Sequence, residues 1–188
     1  AAVYGDSDSF PLREDAPKQP VNPYGEAKLA SEELLAQAAK LHGLTAVSLR
    51  YFNVYGSRQA PDSPYSGVVS KFVDCCSRNQ APIIFGDGRQ TRDFIHVRDV
   101  ARSNALAALL PGLPSGSYNV ASGRETSLLD LLELLRSLTI DAAAGTIPPD
   151  FVITRTLAQL QALRDTPPLQ SPLIVPALRR AAAAGLPD

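Results

Sequence analysis

Apolar residues early in the chain fall first at helical spacing and then in a short continuous run. Between Pro23 and His42, Ala27, Ala30, Leu34, Ala38 and Leu41 recur at a period near that of a helix, which predicts one inward stripe. Asn22 suits the N-cap, Pro23 the first helical position and Gly43 the C′ position, so both helix ends are marked. Thr45 to Phe52 then reads as a strand, with β-branched and aromatic side chains, and Asn53 to Gly56 as the loop that ends it. Ahead of the helix, Ala1 to Gly5 reads as the end of a short buried strand. Asp6 to Val21, rich in Pro, Asp and Lys, reads as a surface loop. Strand, helix and strand at this spacing make a βαβ unit, hence a parallel sheet covered by helices and an α/β fold.

The pattern continues through the middle of the chain. Residues 57–67 form a polar loop, and Val68 to Arg78 predicts a helix that is apolar at Val69, Phe72, Val73 and Cys76. Pro82 to Phe85 and Phe94 to Val97 predict two short strands, the first closed by the turn Gly86-Asp87-Gly88. Asp99 to Leu110 predicts a helix with Ala101, Ala105 and Ala108 on one face, and Ser117 to Ala121 a strand. Ser127 caps a Leu-rich helix, Leu128 to Leu138, with Asp130 near its start. After Thr139 the character changes: residues 140–188 hold seven prolines and an alanine run at 181–184. Helices are expected there only at Thr156 to Leu163 and Leu178 to Ala184, and the tail carries no recognisable chemistry.

Composition narrows the classes. The chain has 188 residues, 45% hydrophobic and 20% charged, with a net charge of −1. That length suits one domain or part of a larger one. No run of Lys and Arg suggests a nucleic-acid partner, and no apolar run approaches a membrane span. The two cysteines, Cys75 and Cys76, are adjacent, a spacing that suits neither a mutual disulfide nor a metal site. They read as reduced thiols on a helix in a cytoplasmic protein. The chain starts at Ala1 with no signal peptide, and is expected to be a fragment or a processed product.

The candidate chemistry lies in Asn22-Pro23-Tyr24-Gly25-Glu26-Ala27-Lys28. Tyr24 and Lys28 are four apart and share one helix face. A free tyrosine is a poor base at neutral pH, and a nearby ammonium favours its phenolate. Such a pair serves as a general acid and base. The plainer reading is a packed Tyr at a helix start beside a solvated Lys.

Four blocks together tip the balance: Ala1–Gly5, Pro23–Lys28, Leu49-Arg50-Tyr51-Phe52-Asn53-Val54-Tyr55-Gly56, and Gly86-Asp87-Gly88-Arg89-Gln90-Thr91-Arg92-Asp93-Phe94. In their order and spacing the chain resembles the extended short-chain dehydrogenase/reductases, in particular the NAD-dependent sugar-nucleotide epimerases and dehydratases. The resemblance covers roughly residues 1–138. It implies the second half of a Rossmann-like parallel sheet plus part of a small C-terminal substrate-binding subdomain. It also implies a UDP-sugar 4-epimerase that interconverts C4 epimers through a 4-keto intermediate with bound NAD. By position, Tyr24 matches the tyrosine that exchanges a proton with the sugar hydroxyl. Lys28 matches the residue that binds the nicotinamide ribose, and Tyr51 the nicotinamide side of the cofactor. Asn53 and Arg92 match residues that hold the sugar-nucleotide diphosphate, and Ile84 and Phe85 the segment against the nucleotide base. The plainer readings are core packing for Tyr51 and Phe85, an Asx turn for Asn53, and an ion pair to Asp93 or Asp99 for Arg92. His96 is read as packing or hydrogen bonding.

The same resemblance exposes departures. The family's glycine-rich loop, which holds the cofactor pyrophosphate at a helix N-terminus, is missing. Its catalytic Ser or Thr would immediately precede Ala1. Residues 1–138 are therefore expected to be the C-terminal part of such a domain, and 139–188 a divergent tail, through a changed reading frame, gene misassembly or divergence. The parent is expected to be a homodimer. Two alternatives remain open: a sugar-nucleotide 4,6-dehydratase or UDP-glucuronate decarboxylase fragment, and an inactive relative acting only in binding or association.

Overall fold

The computed structural model of the chain describes residues 1–7, 10–60, 62–63 and 67–143. In chain order the elements are helix α1 (Pro23–His42), strands β1 (Val47–Tyr51) and β2 (Asn53–Tyr55), helix α2 (Val68–Ser77), and strands β3 (Thr91–Arg92) and β4 (Phe94–His96). Helix α3 (Val97–Leu109), strands β5 (Gly116–Val120) and β6 (Thr126–Ser127), and helix α4 (Leu128–Ala143) follow. Among the described residues they fall into two compact units: residues 1–52 with 99–123, and residues 53–98 with 124–143. The expected helices at Thr156 to Leu163 and Leu178 to Ala184, and the tail beyond residue 143, lie outside the described residues.

The first unit contains the expected parallel pairing. Strands β1 and β5 run parallel, with Val47 opposite Gly116 and Tyr51 opposite Val120. Parallel neighbours need a crossover and cover on their faces. Ser48 shares a cleft with α1, whereas Val47, Leu49 and Tyr51 line a groove with α3. The segment Ala1–Gly5 is no strand. It turns, with the Tyr4 N–H donating to the Ala1 carbonyl at 3.3 Å, and Gly5 bends the chain at φ +66°. Val3 and Tyr4 are nevertheless buried, as expected.

Helix α1 starts and stops where the caps indicated. The Asn22 side chain accepts from the Gly25 N–H at 2.9 Å, and Gly43 closes the helix in the left-handed region. Its orientation differs from the hydropathy pattern. Gly25, Leu29, Glu32 and Ala39 turn inward, while Leu34 and Leu41 of the predicted stripe are 66% and 79% exposed. The cause is Arg50, whose side chain is 4% exposed on β1. Its Nε donates to Glu32 Oε2 at 2.9 Å, and its Nη2 pairs with Glu32 Oε1. Its Nη1 donates to the Tyr4 hydroxyl at 2.6 Å and to the Glu14 carbonyl at 3.0 Å. The Tyr4 hydroxyl donates onward to Asn119 Oδ1 at 2.6 Å, and burial pushes that hydroxyl's pKa up, so it keeps the proton. Asn119 Nδ2 donates to the Leu12 carbonyl, and the Asn119 N–H to Glu14 Oε1. A buried guanidinium requires such partners, and satisfying it outranks burial of a Leu stripe. Helix α3 likewise buries Asp99 and Val100 and leaves Ala101, Ala105 and Ala108 exposed.

The second unit is built on Tyr55, Val69, Phe72, Leu131 and Leu135, with Val73 and Cys76 packed against them. Helix α2 thus buries the stripe its sequence predicts. Asn53 to Tyr55 is a strand rather than a loop, since β4 offers it a parallel ladder with Asn53 opposite Phe94. Pro82 to Phe85 is not a strand: among the described residues it finds no ladder, and Ile83 and Phe85 are 78% and 84% exposed. Helix α4 opens with a capping box, the Asp130 N–H donating to Ser127 Oγ at 3.0 Å and Ser127 Oγ donating to Asp130 Oδ2 at 2.6 Å. It runs past the expected Leu138 to Ala143, because no Gly or Pro interrupts that stretch. Among the described residues no helix is long and apolar enough to cross a membrane.

Hydrogen bonds from Arg50 hold the Glu32 carboxyl below its ordinary pKa, although partial burial opposes this. The folded chain then binds that proton more weakly than the unfolded chain. The stabilisation is therefore complete above about pH 4.3 and is lost as pH falls through the folded value. Glu32→Gln removes the charged partner of a buried guanidinium and should cost about 3 kcal/mol at pH 7. Urea denaturation should show that gap narrowing as pH falls below about 4. An unchanged gap at low pH would show that the carboxylate charge is not what holds α1.

Candidate functional site

The first two turns of α1 present Tyr24 and Lys28 on one exposed face. Tyr24 is 59% exposed, and Lys28 Nζ stands 5.4 Å from its ring centroid. Gly25 decides that presentation. A Cβ at Gly25 would lie 2.7 Å from the Ala2 carbonyl oxygen and 2.9 Å from Pro20 Cβ, so only glycine lets the helix sit on that backbone. Seven residues on, Glu32 is bolted to Arg50 on the same helix face. The inward side is thereby fixed, and the Tyr24–Lys28 side faces out. In the same unit Tyr51 is part exposed, and its hydroxyl donates to Asn104 Oδ1 at 2.9 Å. It is neither fully buried nor packed as plain core.

The other candidates lie in the second unit. The Asn53 side chain does not form an Asx turn. Its Nδ2 donates to the Asp93 carbonyl at 3.0 Å, and its backbone N–H donates to the same oxygen. Arg92 follows on β3, immediately before Asp93, so the two candidate diphosphate ligands are neighbours. Arg92 Nη1 donates to the Thr91 carbonyl at 2.8 Å, and among the described residues it joins no ion pair. Most of its planar fork of donors is left for other acceptors. Ile84 is half-buried against the α2–α4 core, whereas Phe85 stands in solvent. Core packing is thus excluded for Phe85 and present for Ile84. His96 is buried, stacks edge-on to Tyr55 at 5.3 Å and accepts from the Arg98 N–H at 3.2 Å, the packing role expected of it.

The residues present fit one end of a dinucleotide. An exposed hydroxyl and ammonium on one helix face match the hydrogen-bonding needs of a ribose beside a nicotinamide ring. The diphosphate end has no such match. Among the described residues the glycine turn Gly86-Asp87-Gly88 leads into β3, not into a helix N-terminus, and so lacks the dipole and free N–H groups that hold a pyrophosphate.

Three structural residues escaped the reading of the sequence. Gly25 could have been found as a glycine in a first turn, where it lowers helix propensity and calls for a packing reason. Arg50 could have been found as a charge inside an apolar strand. Asn104, which holds Tyr51, left no signal.

Gly25→Ala should destabilise the chain by about 1–3 kcal/mol through overpacking, although alanine is the better helix former. Calorimetric melting checks this, and a raised midpoint would show that the Ala2 contact is not close.

The family model of the NAD dependent epimerase/dehydratase family matches residues 1–121. A putative UDP-glucose 4-epimerase of Methanocaldococcus jannaschii is 42% identical over 135 residues, covering 72% of this chain and 43% of the relative. The solved UDP-glucose 4-epimerase of Thermotoga maritima, with UDP-glucose, superposes with a TM-score of 0.69 at 39% identity, over 73% of this chain and 44% of that one. The UDP-N-acetylglucosamine 4-epimerase of Methanobrevibacter ruminantium, in complex with UDP-N-acetylmuramic acid, gives 0.70 at 38% identity, over 73% and 44%. The chain spans less than half the length of each of these relatives. With two parallel strand pairs, the Tyr24–Lys28 face on α1 and this match over its first 121 residues, the chain belongs to the NAD-dependent epimerase/dehydratase family.

Proposed function

We propose that the chain supplies the proton-transfer pair and the substrate-binding side of a UDP-sugar 4-epimerase, with residues 1–138 as its epimerase segment. The observation that carries this is the exposed Tyr24–Lys28 face, held out by Gly25 and Glu32 in a chain of this family. Tyr24 Oη takes and returns the proton of the sugar C4 hydroxyl. Lys28 supports the charge that this leaves on the phenol and hydrogen-bonds the cofactor ribose. Tyr51, steadied by Asn104, borders the nicotinamide end. Arg92 and Asn53 hold the sugar-nucleotide diphosphate, Arg92 through two parallel donors. Phe85 covers the base, with Ile84 anchoring it to the core. NAD, when bound, supplies the hydride acceptor that oxidises C4. A 4,6-dehydratase or decarboxylase would use the same tyrosine and lysine, and no residue described here favours it.

The outward Leu34 and Leu41 of α1 support a homodimer contact. Light scattering should show Leu34→Glu shifting the chain toward monomer; an unchanged mass would place any contact elsewhere.

A chimera decides the main reading. Joined behind the N-terminal half of the Methanocaldococcus relative, the chain should interconvert UDP-glucose and UDP-galactose with NAD. Tyr24→Phe should lower kcat by roughly 100- to 10,000-fold and leave KM nearly unchanged. Loss of less than about tenfold would remove Tyr24 from the chemistry. By itself the 188-residue chain should show no saturable NAD binding in calorimetry, since no described segment cradles a pyrophosphate. Tight binding would overturn that assignment.

A further inference from the structure

The segment Pro82-Ile83-Ile84-Phe85 holds four apolar side chains in a row, yet two of them project into solvent. Such a run ordinarily collapses onto the nearest core or joins a sheet. Ile84 does pack against the core, but among the described residues no ladder holds the backbone. What closes the loop is a set of local bonds. Asp87 Oδ1 accepts from the Arg89 N–H at 3.0 Å, and the Gly88 carbonyl accepts from the Leu129 N–H at 3.1 Å. Gly88 sits at φ +76°, where a Cβ would be 2.9 Å from Leu129, so the turn is seated against the start of α4. Neither bond reaches the aromatic residue. One does: Gln90 Nε2 donates to the Phe85 carbonyl at 2.8 Å. Gln90 directly precedes β3, which carries Arg92. A single side chain therefore ties the exposed aromatic to the strand that bears the exposed guanidinium.

We propose that Gln90 is a positioning residue for a nucleoside diphosphate, setting the Phe85 ring at a fixed place relative to Arg92 so that base and diphosphate engage together. This rests on the reading of Phe85 and Arg92 given above. The ring gains by being held in advance, because an aromatic platform free to swing would lose ordering entropy on binding. Gln90 need not touch the ligand; it acts through the Phe85 backbone.

Calorimetric titration of the full 188-residue chain with UDP, and separately with inorganic pyrophosphate, tests this. Gln90→Ala, whose truncated side chain cannot donate, should raise the UDP Kd about three- to tenfold. The pyrophosphate Kd should stay within about twofold, because Arg92 is untouched. Equal weakening toward both ligands would mean a merely structural role, and UDP affinity unchanged in Gln90→Ala would mean no role; either overturns the proposal. A wild-type chain that does not bind UDP would overturn the Phe85 and Arg92 reading and the proposal with it. Phe85→Ala losing UDP while Gln90→Ala keeps it would sink the positioning role alone.

Discussion

A guanidinium placed inside a protein must find acceptors for its donors, and Arg50 draws much of the first unit together to supply them. It takes both carboxylate oxygens of Glu32 from α1, the hydroxyl of Tyr4 and a carbonyl of the loop at Glu14. Asn119 on β5 completes the set by holding Tyr4, Leu12 and Glu14. The desolvation of one charge is thereby offset through four separate stretches of chain. Buried ion pairs are weak arguments for stability, since a well-packed apolar substitute often does as well. Their stronger effect here is directional: a forked pair admits one rotation of α1, whereas a stripe of leucines tolerates several.

That direction has chemical consequences. Helix α1 has 20 residues and buries only Gly25 and Ala39, both small. Apolar burial therefore contributes little to its placement. Two contacts on one face do the work, the close approach at Gly25 and the pair at Glu32. They leave Tyr24 and Lys28 outward, where a hydroxyl and an ammonium can meet a ligand. In the second unit an ordinary hydrophobic core plays the corresponding part. Leu131 and Leu135 of α4 pack on Phe72 of α2, and in the same unit the loop before β3 and β3 itself present Phe85 and Arg92. Both units thus support polar or aromatic groups in solvent from a rigid interior, one with hydrogen bonds and the other with packing.

Local chemistry made parts of the fold legible. Asn22, Pro23 and Gly43 delimit α1 because capping depends on neighbours in sequence. Ser127 and Asp130 mark the start of α4 for the same reason. The α2 stripe was readable because nothing polar competes for its inward face. The failures share a different cause. Ala1–Gly5 and Pro82–Phe85 have strand-like composition, but a strand exists only where a partner supplies its ladder, and Asn53–Tyr55 became one because β4 did. The α1 and α3 stripes face outward because Glu32 and Asp99 take the inward positions instead.

By itself the sequence determined both ends of α1 and the start of α4, the parallel α/β class, and the family, whose motifs are strings of adjacent residues. It also named Tyr24 and Lys28, since a spacing of four on a capped helix places two side chains on one face. Only the tertiary structure decided which way that face points, because the answer depends on Arg50, 22 positions beyond Lys28 in the chain and on another element. It alone showed that Phe85 is exposed while Ile84 is packed, and that Gln90 reaches the Phe85 carbonyl. Rotation of a helix and the path of a loop are settled by distant partners, and a linear pattern carries no record of who those partners are.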